Sequence, residues 1–376
     1  MPKALKKELA VAIQQTGGYL MIESLHVENF RCFKSLELHG LKRVNVIVGK
    51  NAAGKTALLE AMRLALGGTP HSLFSLNQLR SQVFYLPQPP TREQFEAQFN
   101  PYFFNVDPSN TISTECIDSE GRSAKLRVFY DPEKTITPLP MPQFQYVQPV
   151  ATIVPLAFER TDFAGHTGRL YASVNPQGGG ITLEPGPELG LVTEFFPSTW
   201  IYNPQQNAIY FSQLSQQNRE KEVIEVIKRE FDPLIQDLSV LAPNQVPSMY
   251  ATIPHLREKL PLTLVSAGIN KFFSILAAIV TRSHGVVLID EVENGLYYGK
   301  FSSLWEIILR LSFQYNTQVF TSTHSLECVH ALLASIKGHE DEFTLLRVER
   351  ENGFSGITSV KGQFLEAALE QNFELR

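Results

Sequence analysis

One stretch decides the fold: Gly49-Lys50-Asn51-Ala52-Ala53-Gly54-Lys55-Thr56. It follows an apolar run at residues 44–48 and precedes a helix-forming run at 57–66. Glycines let such a loop curl until its N–H groups face a phosphate, and the helix adds its positive N-terminal end. Lys55 then reaches the β and γ phosphates, and the Thr56 hydroxyl binds Mg²⁺. The stretch predicts a nucleotide-binding site formed by Gly49, Asn51, Ala52, Ala53, Gly54, Lys55, Thr56 and Ala57.

Composition narrows the class of protein. The chain has 376 residues, 43% of them hydrophobic, which suffices for a sizeable core. Its net charge of -5 excludes a chain-wide basic field, so binding of nucleic acid would need a local patch. Cys32, Cys116 and Cys328 match neither a disulfide framework nor a zinc site, which favours a reducing, cytoplasmic location. The longest apolar run, near residues 272–280, is too short for a membrane anchor.

The chain divides into segments that differ in amino-acid composition and predicted secondary structure. Residues 1–20 are predicted as an N-terminal extension, followed by strands at 22–30, 36–38 and 44–48. Residues 71–259 are rich in Pro, Gln and Phe and are predicted as an insertion domain of mixed α and β structure. Within it we expect hairpins at 111–117 with 124–130 and at 169–174 with 181–183, and a helical period over 213–238 that Pro233 breaks.

Two acids end a buried strand after the insertion. Residues 286–289 are apolar and β-favouring, and Asp290-Glu291 follow them directly. A buried parallel strand delivers such carboxylates to its C-terminal end. Asp290 is predicted to hold Mg²⁺, and Glu291 to polarise an attacking water as a catalytic residue. Taken alone, the segment would read as a strand capped by solvated acids; the loop upstream favours the catalytic interpretation.

Two further segments complete the pattern. His324 follows a strand at residues 318–322 and can hydrogen-bond a γ-phosphate or the attacking water. Ser266-Ala267-Gly268 precedes a helix at 269–282, whose N-terminal hydroxyl, N–H groups and dipole suit a phosphate. A plain helix cap is the alternative for Ser266.

With these segments in this order, the chain resembles ABC-type ATPases of the SMC and RecF kind, and most closely the ATPase portion of the OLD (overcoming lysogenization defect) family. The resemblance covers residues 21–66 and 260–329 best. It rests on Asn29-Phe30-Arg31, the phosphate loop and four later motifs: Ser266-Ala267-Gly268, Asp290-Glu291, Glu293-Asn294-Gly295-Leu296 and Thr323-His324-Ser325. It implies an α/β fold: an ABC-type P-loop NTPase head, split between 21–70 and 260–376, with an N-terminal antiparallel β portion and the large insertion.

The resemblance also implies an assembly. Two heads would sandwich two ATP molecules, and Ser266 and Gly268 would act in trans as the signature that binds the partner's ATP. Three departures stand out: the signature has no second glycine, Tyr297-Tyr298 replace frequent histidines, and the Q-loop residue stays open among Gln78, Gln82 and Gln88. Only 52 residues follow His324, so we expect no Toprim nuclease, and we read Glu340-Asp341-Glu342 as a solvated loop.

Three functions are compatible with this pattern and with the resemblance, and the context of anti-phage defence comes from the resemblance alone. The first is an ATP-hydrolysing sensor or scaffold that forms a homodimer or higher oligomer and controls a separate effector, a nuclease or toxin, in bacterial anti-phage defence. The second is a RecF-like DNA repair clamp, with DNA as its partner. The third, a transporter ATPase, is disfavoured by the size of the insertion.

Overall fold

The first two strands of the chain belong to a seven-stranded antiparallel sheet. The computed structural model describes residues 20–79, 91–137, 152–176, 180–198, 204–231, 233–351 and 354–362. The strands of the sheet run in the order β2-β1-β4-β5-β6-β7-β8. They are β1 (Ile22–Phe30), β2 (Phe33–His39), β4 (Ile112–Asp118), β5 (Ser123–Tyr130), β6 (Leu156–Thr161), β7 (Thr167–Val174) and β8 (Ile181–Leu183). Alternate residues of β4 are buried and the others reach solvent, as expected for a sheet with one covered face. The predicted strands and both hairpins are confirmed.

A second sheet carries the predicted phosphate loop and acid strand. Its order is β16-β15-β3-β14-β13-β9, and all neighbours except β15 and β16 pair in parallel. Its strands are β3 (Val44–Val48), β9 (Thr193–Phe196), β13 (Val286–Ile289), β14 (Gln318–Ser322), β15 (Phe343–Glu351) and β16 (Phe354–Lys361). Every residue of β3, β13 and β14 is buried, which explains the continuous apolar sequence of β13. The polar residues of the other two strands are hydrogen-bonded inside the core, as Asn45 is to the Lys42 carbonyl and Gln318 to the Ile22 carbonyl.

Helices pack against both faces of the parallel sheet, and a small sheet lies beside some of them. The helices are α1 (Lys55–Gly67), α2 (Pro70–Leu79), α3 (Arg92–Glu96), α4 (Pro204–Gln216), α5 (Glu220–Glu230), α6 (Leu262–Val265), α7 (Ala267–Thr281), α8 (Phe301–Gln314) and α9 (Leu326–Ile336). The small antiparallel sheet comprises β10 (Asp237–Leu241), β11 (Ser248–Thr252) and β12 (Leu260–Pro261). Side chains of α4, α5, α7, α8 and α9 share one core with Val44, Val46 and Val48 of β3.

Helix α1 lies between the two large sheets. It contacts β1, β4 and β5 of the antiparallel sheet and β9, β13 and β14 of the parallel sheet. Its side chains are therefore buried on all sides, including Leu58, Leu59, Met62 and Leu64. Its charged residues beyond the first turn, Glu60 and Arg63, are both paired, with Arg31 at 2.9 Å and with Glu188 at 2.6 Å. The phosphate loop is thus anchored at the centre of the molecule.

The structure corrects one predicted element. The helical period over 213–238 is wrong at both ends, because α4 already begins at Pro204, Asn218 turns the chain with φ 56°, and α5 ends at Glu230. Leu238 belongs to strand β10, not to a helix. The apolar residues of 237–241 could be buried in either a helix or a strand. They form a strand because this segment pairs with β11.

The domain boundaries proposed from the sequence stay predictions. Strands of the segment 71–259 extend the β1–β2 sheet, and β9 joins the parallel sheet. Residues 1–19, both proline-rich tracts (87–90 and 138–142) and the candidates Gln82 and Gln88 lie outside the described residues. Gln78 belongs to α2. Glu340–Glu342 form a short, partly exposed 3₁₀ turn. Among the described residues, no helix has the length and hydropathy needed to cross a bilayer.

Candidate functional site

The candidate site lies where three neighbouring parallel strands end. The loop 49–54 follows β3, Asp290 and Glu291 follow β13, and His324 comes two residues after β14, which lies between the other two. Backbone hydrogen bonds hold the ends together: Asp290 N donates to Phe196 O at 2.7 Å, and Thr323 N to Ile47 O at 3.0 Å. Ligands of open α/β sheets bind at this carboxyl edge.

Two glycines give the phosphate loop its shape. Gly49 has φ 145°, and a Cβ there would lie 2.2 Å from the Val348 carbonyl oxygen. Gly54 has φ 120°, and its Cβ would meet Cys32 Sγ at 2.9 Å. Both positions combine a backbone conformation that favours glycine with a close approach of neighbouring atoms. Neither position can take a larger residue without distorting the loop.

Lys55 is held inside the loop. Its Nζ donates to the Gly49 carbonyl at 2.8 Å and to the Lys50 carbonyl at 3.1 Å. Burial lowers the pKa of the Lys55 ammonium, while the charges of Asp290, Glu291 and Glu293 act to raise it. A cation surrounded by carboxylates and loop N–H groups is suited to an anionic ligand that approaches from the open side.

Thr56 and Asp290 together form an oxygen donor set. Thr56 Oγ1 donates to Asp290 Oδ2 at 2.8 Å, and Ser322 Oγ donates to Asp290 Oδ1. Mg²⁺ prefers hard oxygen ligands and is bound through one or two protein groups, with phosphate and water oxygens completing its shell. The hydroxyl and carboxylate therefore fit Mg²⁺. Among the described residues, no cluster of three or more His, Cys, Asp or Glu could hold a metal.

Glu291 has an unusual backbone conformation. Its φ is 50°, in the left-handed region, at a cost of roughly 1–3 kcal/mol for a residue with a side chain. Both ends of the residue are held: its N–H donates to Ser322 Oγ at 2.8 Å, and its carbonyl accepts from Lys271 Nζ at 2.6 Å. Burial lowers the pKa of Lys271 to about 8, against Glu293, Glu291 and Asp290, which act to raise it. Strain of this kind clusters at active sites.

His324 is oriented by a buried acid. Its backbone N–H donates to Glu293 Oε1 at 2.9 Å, and its Nδ1 lies 3.2 Å from the same oxygen. The distance from His324 Nδ1 to Glu291 Oε1 is 3.9 Å. The imidazole is half exposed, whereas Glu293 is only 7% exposed. Glu293 therefore fixes the ring beside Glu291, and half of the imidazole surface stays exposed.

Ser266 and Gly268 begin α7. Ser266 Oγ accepts a hydrogen bond from Ile269 N at 3.3 Å, so the serine is the N-cap of the helix. Gly268 packs against the loop after Glu291, where a Cβ would come 2.5 Å from the Gly295 carbonyl oxygen. The cap and the close packing give these residues a structural role in addition to the signature role, which stays a prediction.

We expect Gly268→Ala to destabilise the protein. The added Cβ meets a backbone oxygen that cannot rotate away, so the free energy of unfolding should fall by roughly 1–3 kcal/mol. Urea denaturation without nucleotide measures this change, and Ala267→Ser, at an exposed neighbouring position, is the control. Unchanged stability of Gly268→Ala would contradict the close contact between α7 and Gly295.

The predicted residues line one cavity of about 820 Å³. Its walls include Asn51, Ala52, Gly54, Lys55, Thr56, Ala57, Asp290, Glu291 and His324, while Gly49 and Ala53 are buried behind it. Ser266 and Gly268 do not line it. The cavity is also lined by Arg31, which the sequence placed in the Asn29-Phe30-Arg31 motif without a role at the site, and by Phe104 and Arg350, which the sequence pattern did not single out. Arg31 pairs with Glu60 of α1 at 2.9 Å, a contact that the sequence offers no local signal for.

Comparison with known proteins gives the family. A family model described as AAA ATPase domain matches residues 21–245, more than half of the chain. The chain belongs to the AAA ATPase domain family. A second model, described as "AAA domain, putative AbiEii toxin, Type IV TA system", matches residues 194–329 of this AAA ATPase, where Asp290, Glu291 and His324 lie. Family membership and the phosphate loop together make the chain an ATPase.

Individual relatives of this AAA ATPase are distant or short. It is 23% identical over 337 residues to an ATP/GTP phosphatase of Helicobacter pylori, covering 83% of this chain and 87% of the relative. It is 50% identical over 46 residues to the DNA double-strand break repair Rad50 ATPase of Methanopyrus kandleri, covering 12% of this chain and 5% of that protein. An SMC head bound to the C-terminal winged-helix domain of ScpA aligns with a TM-score of 0.46 at 12% identity, over 92% of this chain and 99% of the head.

Proposed function

We propose that this ATPase is an ABC-type head of the OLD kind, whose two copies close around ATP and control a separate effector, a nuclease or toxin, in bacterial anti-phage defence. One observation carries the assembly. The start of α7 presents a half-buried Ser266 and an exposed Ala267, yet neither residue belongs to the cavity beside Lys55. A helix start of this kind suits a phosphate, and a second copy of the chain would supply one.

The residues of the site divide the chemistry of hydrolysis. Lys55 and the loop N–H groups hold the β and γ phosphates, and Thr56 with Asp290 would hold Mg²⁺, which neutralises phosphate charge when bound. Glu291 orients and polarises the attacking water, and His324 hydrogen-bonds the γ-phosphate, with Glu293 fixing its ring. Ser266 and Gly268 of the partner copy close the site. Loss of the γ-phosphate then reopens the assembly.

The existence and identity of the effector are proposed from the resemblance and the family models, and not from the residues of the site. The resemblance to the OLD family supports a nuclease, and the description of the second family model supports a link to a toxin. The short Rad50 match favours the second candidate, a DNA clamp, but it covers only 12% of the chain. A clamp would bind duplex DNA in the presence of ATP with a steep inverse dependence on salt. The absence of DNA binding at low salt would exclude it.

Mixing two inactive variants tests the shared site. Ala267→Glu adds an acid at a helix start, which the helix dipole tolerates but a partner's γ-phosphate would not. Lys55→Ala removes the phosphate-loop cation. Each variant alone should hydrolyse ATP poorly, whereas an equal mixture forms heterodimers with one intact site and should recover at most about a quarter of wild-type activity.

The neutral variant Ala267→Gln is the matched control, because it has the same size as glutamate without the charge. It should keep most of the wild-type activity. A mixture that neither recovers activity nor forms an ATP-dependent heterodimer would argue against a site shared between copies. Full activity of Ala267→Glu alone would contradict the role of the α7 start in binding phosphate.

A further inference from the structure

Lys271 connects the start of α7 with the candidate catalytic glutamate. It is the one charged residue of α7, whose other side chains are mostly apolar and buried. Its Nζ donates to the main-chain oxygen of Glu291 at 2.6 Å. A lone lysine on such a helix would be expected to extend towards solvent. Here it instead reaches the peptide that follows Glu291.

A second contact joins the same two elements. Gly268 lies three residues before Lys271, and therefore on the same face of α7. A Cβ at Gly268 would come 2.5 Å from the Gly295 oxygen, so helix and loop touch there directly. The loop from Glu291 to Leu296 is thus attached to α7 at both of its ends.

The contact acts on a strained residue. Glu291 has φ 50°, and its main-chain groups are held on both sides: its N–H donates to Ser322 Oγ, and its carbonyl accepts from Lys271 Nζ and, at 3.0 Å, from the N–H of Asn294 in its own loop. Ser322 also bonds Asp290 and so belongs to the metal side of the site. Lys271 lies one turn after Ser266 and Gly268, at the end of α7 that we propose binds the partner's phosphate. Its ammonium also faces Glu293 and Asp290, whose negative charges it offsets.

We propose that Lys271 is a positioning residue that transmits phosphate engagement at the α7 start to Glu291 of the same subunit. This inference rests on the proposed function, because the phosphate belongs to the ATP held by the partner copy. When the α7 start binds the partner's phosphate, Ser266 and Gly268 become fixed in position. Lys271, one helical turn further along α7, is then fixed as well, and its hydrogen bond holds the peptide that follows Glu291 in place. Each copy then hydrolyses its own ATP efficiently only when its α7 is occupied, which couples the two sites.

Steady-state kinetics of Lys271→Met test the proposal. Methionine keeps the length and packing of the lysine stem but cannot donate to the Glu291 oxygen. We expect kcat to fall roughly 10- to 100-fold, as for a small misplacement of a reacting group, with ATP binding and the ATP-dependent dimer retained. The Hill coefficient for ATP should fall from a wild-type value between 1 and about 2, the number of coupled sites, to about 1.

Further variants separate positioning from folding. Lys271→Arg keeps a charged donor and should stay within a few-fold of wild type, whereas Lys271→Gln, too short to reach, should behave like Lys271→Met. Lys125→Met, which removes an exposed lysine paired with Glu115 on the outer sheet, is the control and should be unchanged. If Lys271→Met does not fold, the order of the arginine and glutamine variants decides.

Several results would overturn the inference. These are wild-type kcat in Lys271→Met or Lys271→Gln, equal losses in the arginine and glutamine variants, or a loss of kcat that only accompanies weaker ATP binding. If the wild-type protein dimerises with ATP but hydrolyses it without cooperativity, the coupling between the two sites would be excluded, while the proposed function would stand. Absence of any ATP-dependent dimer would instead contradict the proposed function.

Discussion

Glu291→Gln is expected to slow ATP hydrolysis about a thousandfold while leaving ATP binding intact. The amide keeps the size and hydrogen-bonding reach of the side chain but cannot accept a proton from the attacking water. The left-handed backbone at residue 291 is held through main-chain groups, by Ser322 and Lys271, so the substitution should leave the local geometry unchanged. Phosphate release measures the rate, and binding of a fluorescent ATP analogue measures the affinity.

The same variant should accumulate as a dimer. If ATP joins two copies, blocking hydrolysis traps the joined state, which light scattering coupled to size exclusion detects as a doubled mass in ATP but not in ADP. Glu120→Gln, at an exposed hairpin turn, controls for the loss of one acid and should hydrolyse ATP normally. Wild-type turnover in Glu291→Gln would remove Glu291 from the mechanism.

The trapped dimer also discriminates between the two candidate functions. Under the effector hypothesis, tagged Glu291→Gln with ATP should retain a stoichiometric protein partner that Lys55→Ala does not retain. Under the clamp hypothesis, it should bind duplex DNA, with affinity falling steeply as salt rises. A trapped dimer that binds neither would count against both.

Lys55→Ala should abolish ATP binding at any concentration that the wild-type protein needs for turnover. The Lys55 ammonium is the cation of the loop that we expect to meet the phosphates, and the Gly49 and Lys50 carbonyls hold it within the loop. Removing it leaves Asp290, Glu291 and Glu293 uncompensated on that side, so the remaining charge repels a nucleotide. We expect affinity to fall at least a hundredfold, as for a charge-assisted contact of about 3 kcal/mol. Calorimetric titration with ATP measures it.

Lys50→Ala is the matched control for Lys55→Ala. Lys50 belongs to the same loop, but it is exposed, and the structure shows it contributing its carbonyl oxygen. Its substitution should change affinity by a few-fold at most. Retained ATP binding in Lys55→Ala would mean that the nucleotide does not use this loop. Equal losses in the two variants would point to general electrostatic attraction instead of a fitted site.

Local sequence patterns were sufficient for the parts of the site that follow strands. The loop after β3, the acids after β13 and the histidine after β14 could be predicted because each motif adjoins a short apolar strand. Parallel strands then bring their carboxyl ends to one edge whatever the rest of the chain does. The bounds of β3 and β1 were predicted to the residue.

Contacts between distant segments could not be predicted in this way. The pairing of β1 with β4 joins residues about ninety positions apart, and nothing in either strand encodes its partner. Glu293 gave no sign that it would bind His324, and Lys271 looked like an ordinary polar residue on a helix. The one available signal was that Lys271 is the lone charge of an apolar helix. Which acid or oxygen such a lysine meets depends on the packing of helix against loop.

The enclosure of α1 between two sheets has a thermodynamic consequence. Amides in its middle are protected by everything around them, so they should exchange with solvent only when most of the fold opens. The loop at residues 49–54 leads directly into this helix, so a nucleotide that binds the loop binds only the folded state. A nucleotide bound there therefore adds its binding free energy to the stability of both sheets at once, and ATP becomes a ligand that holds the whole chain folded.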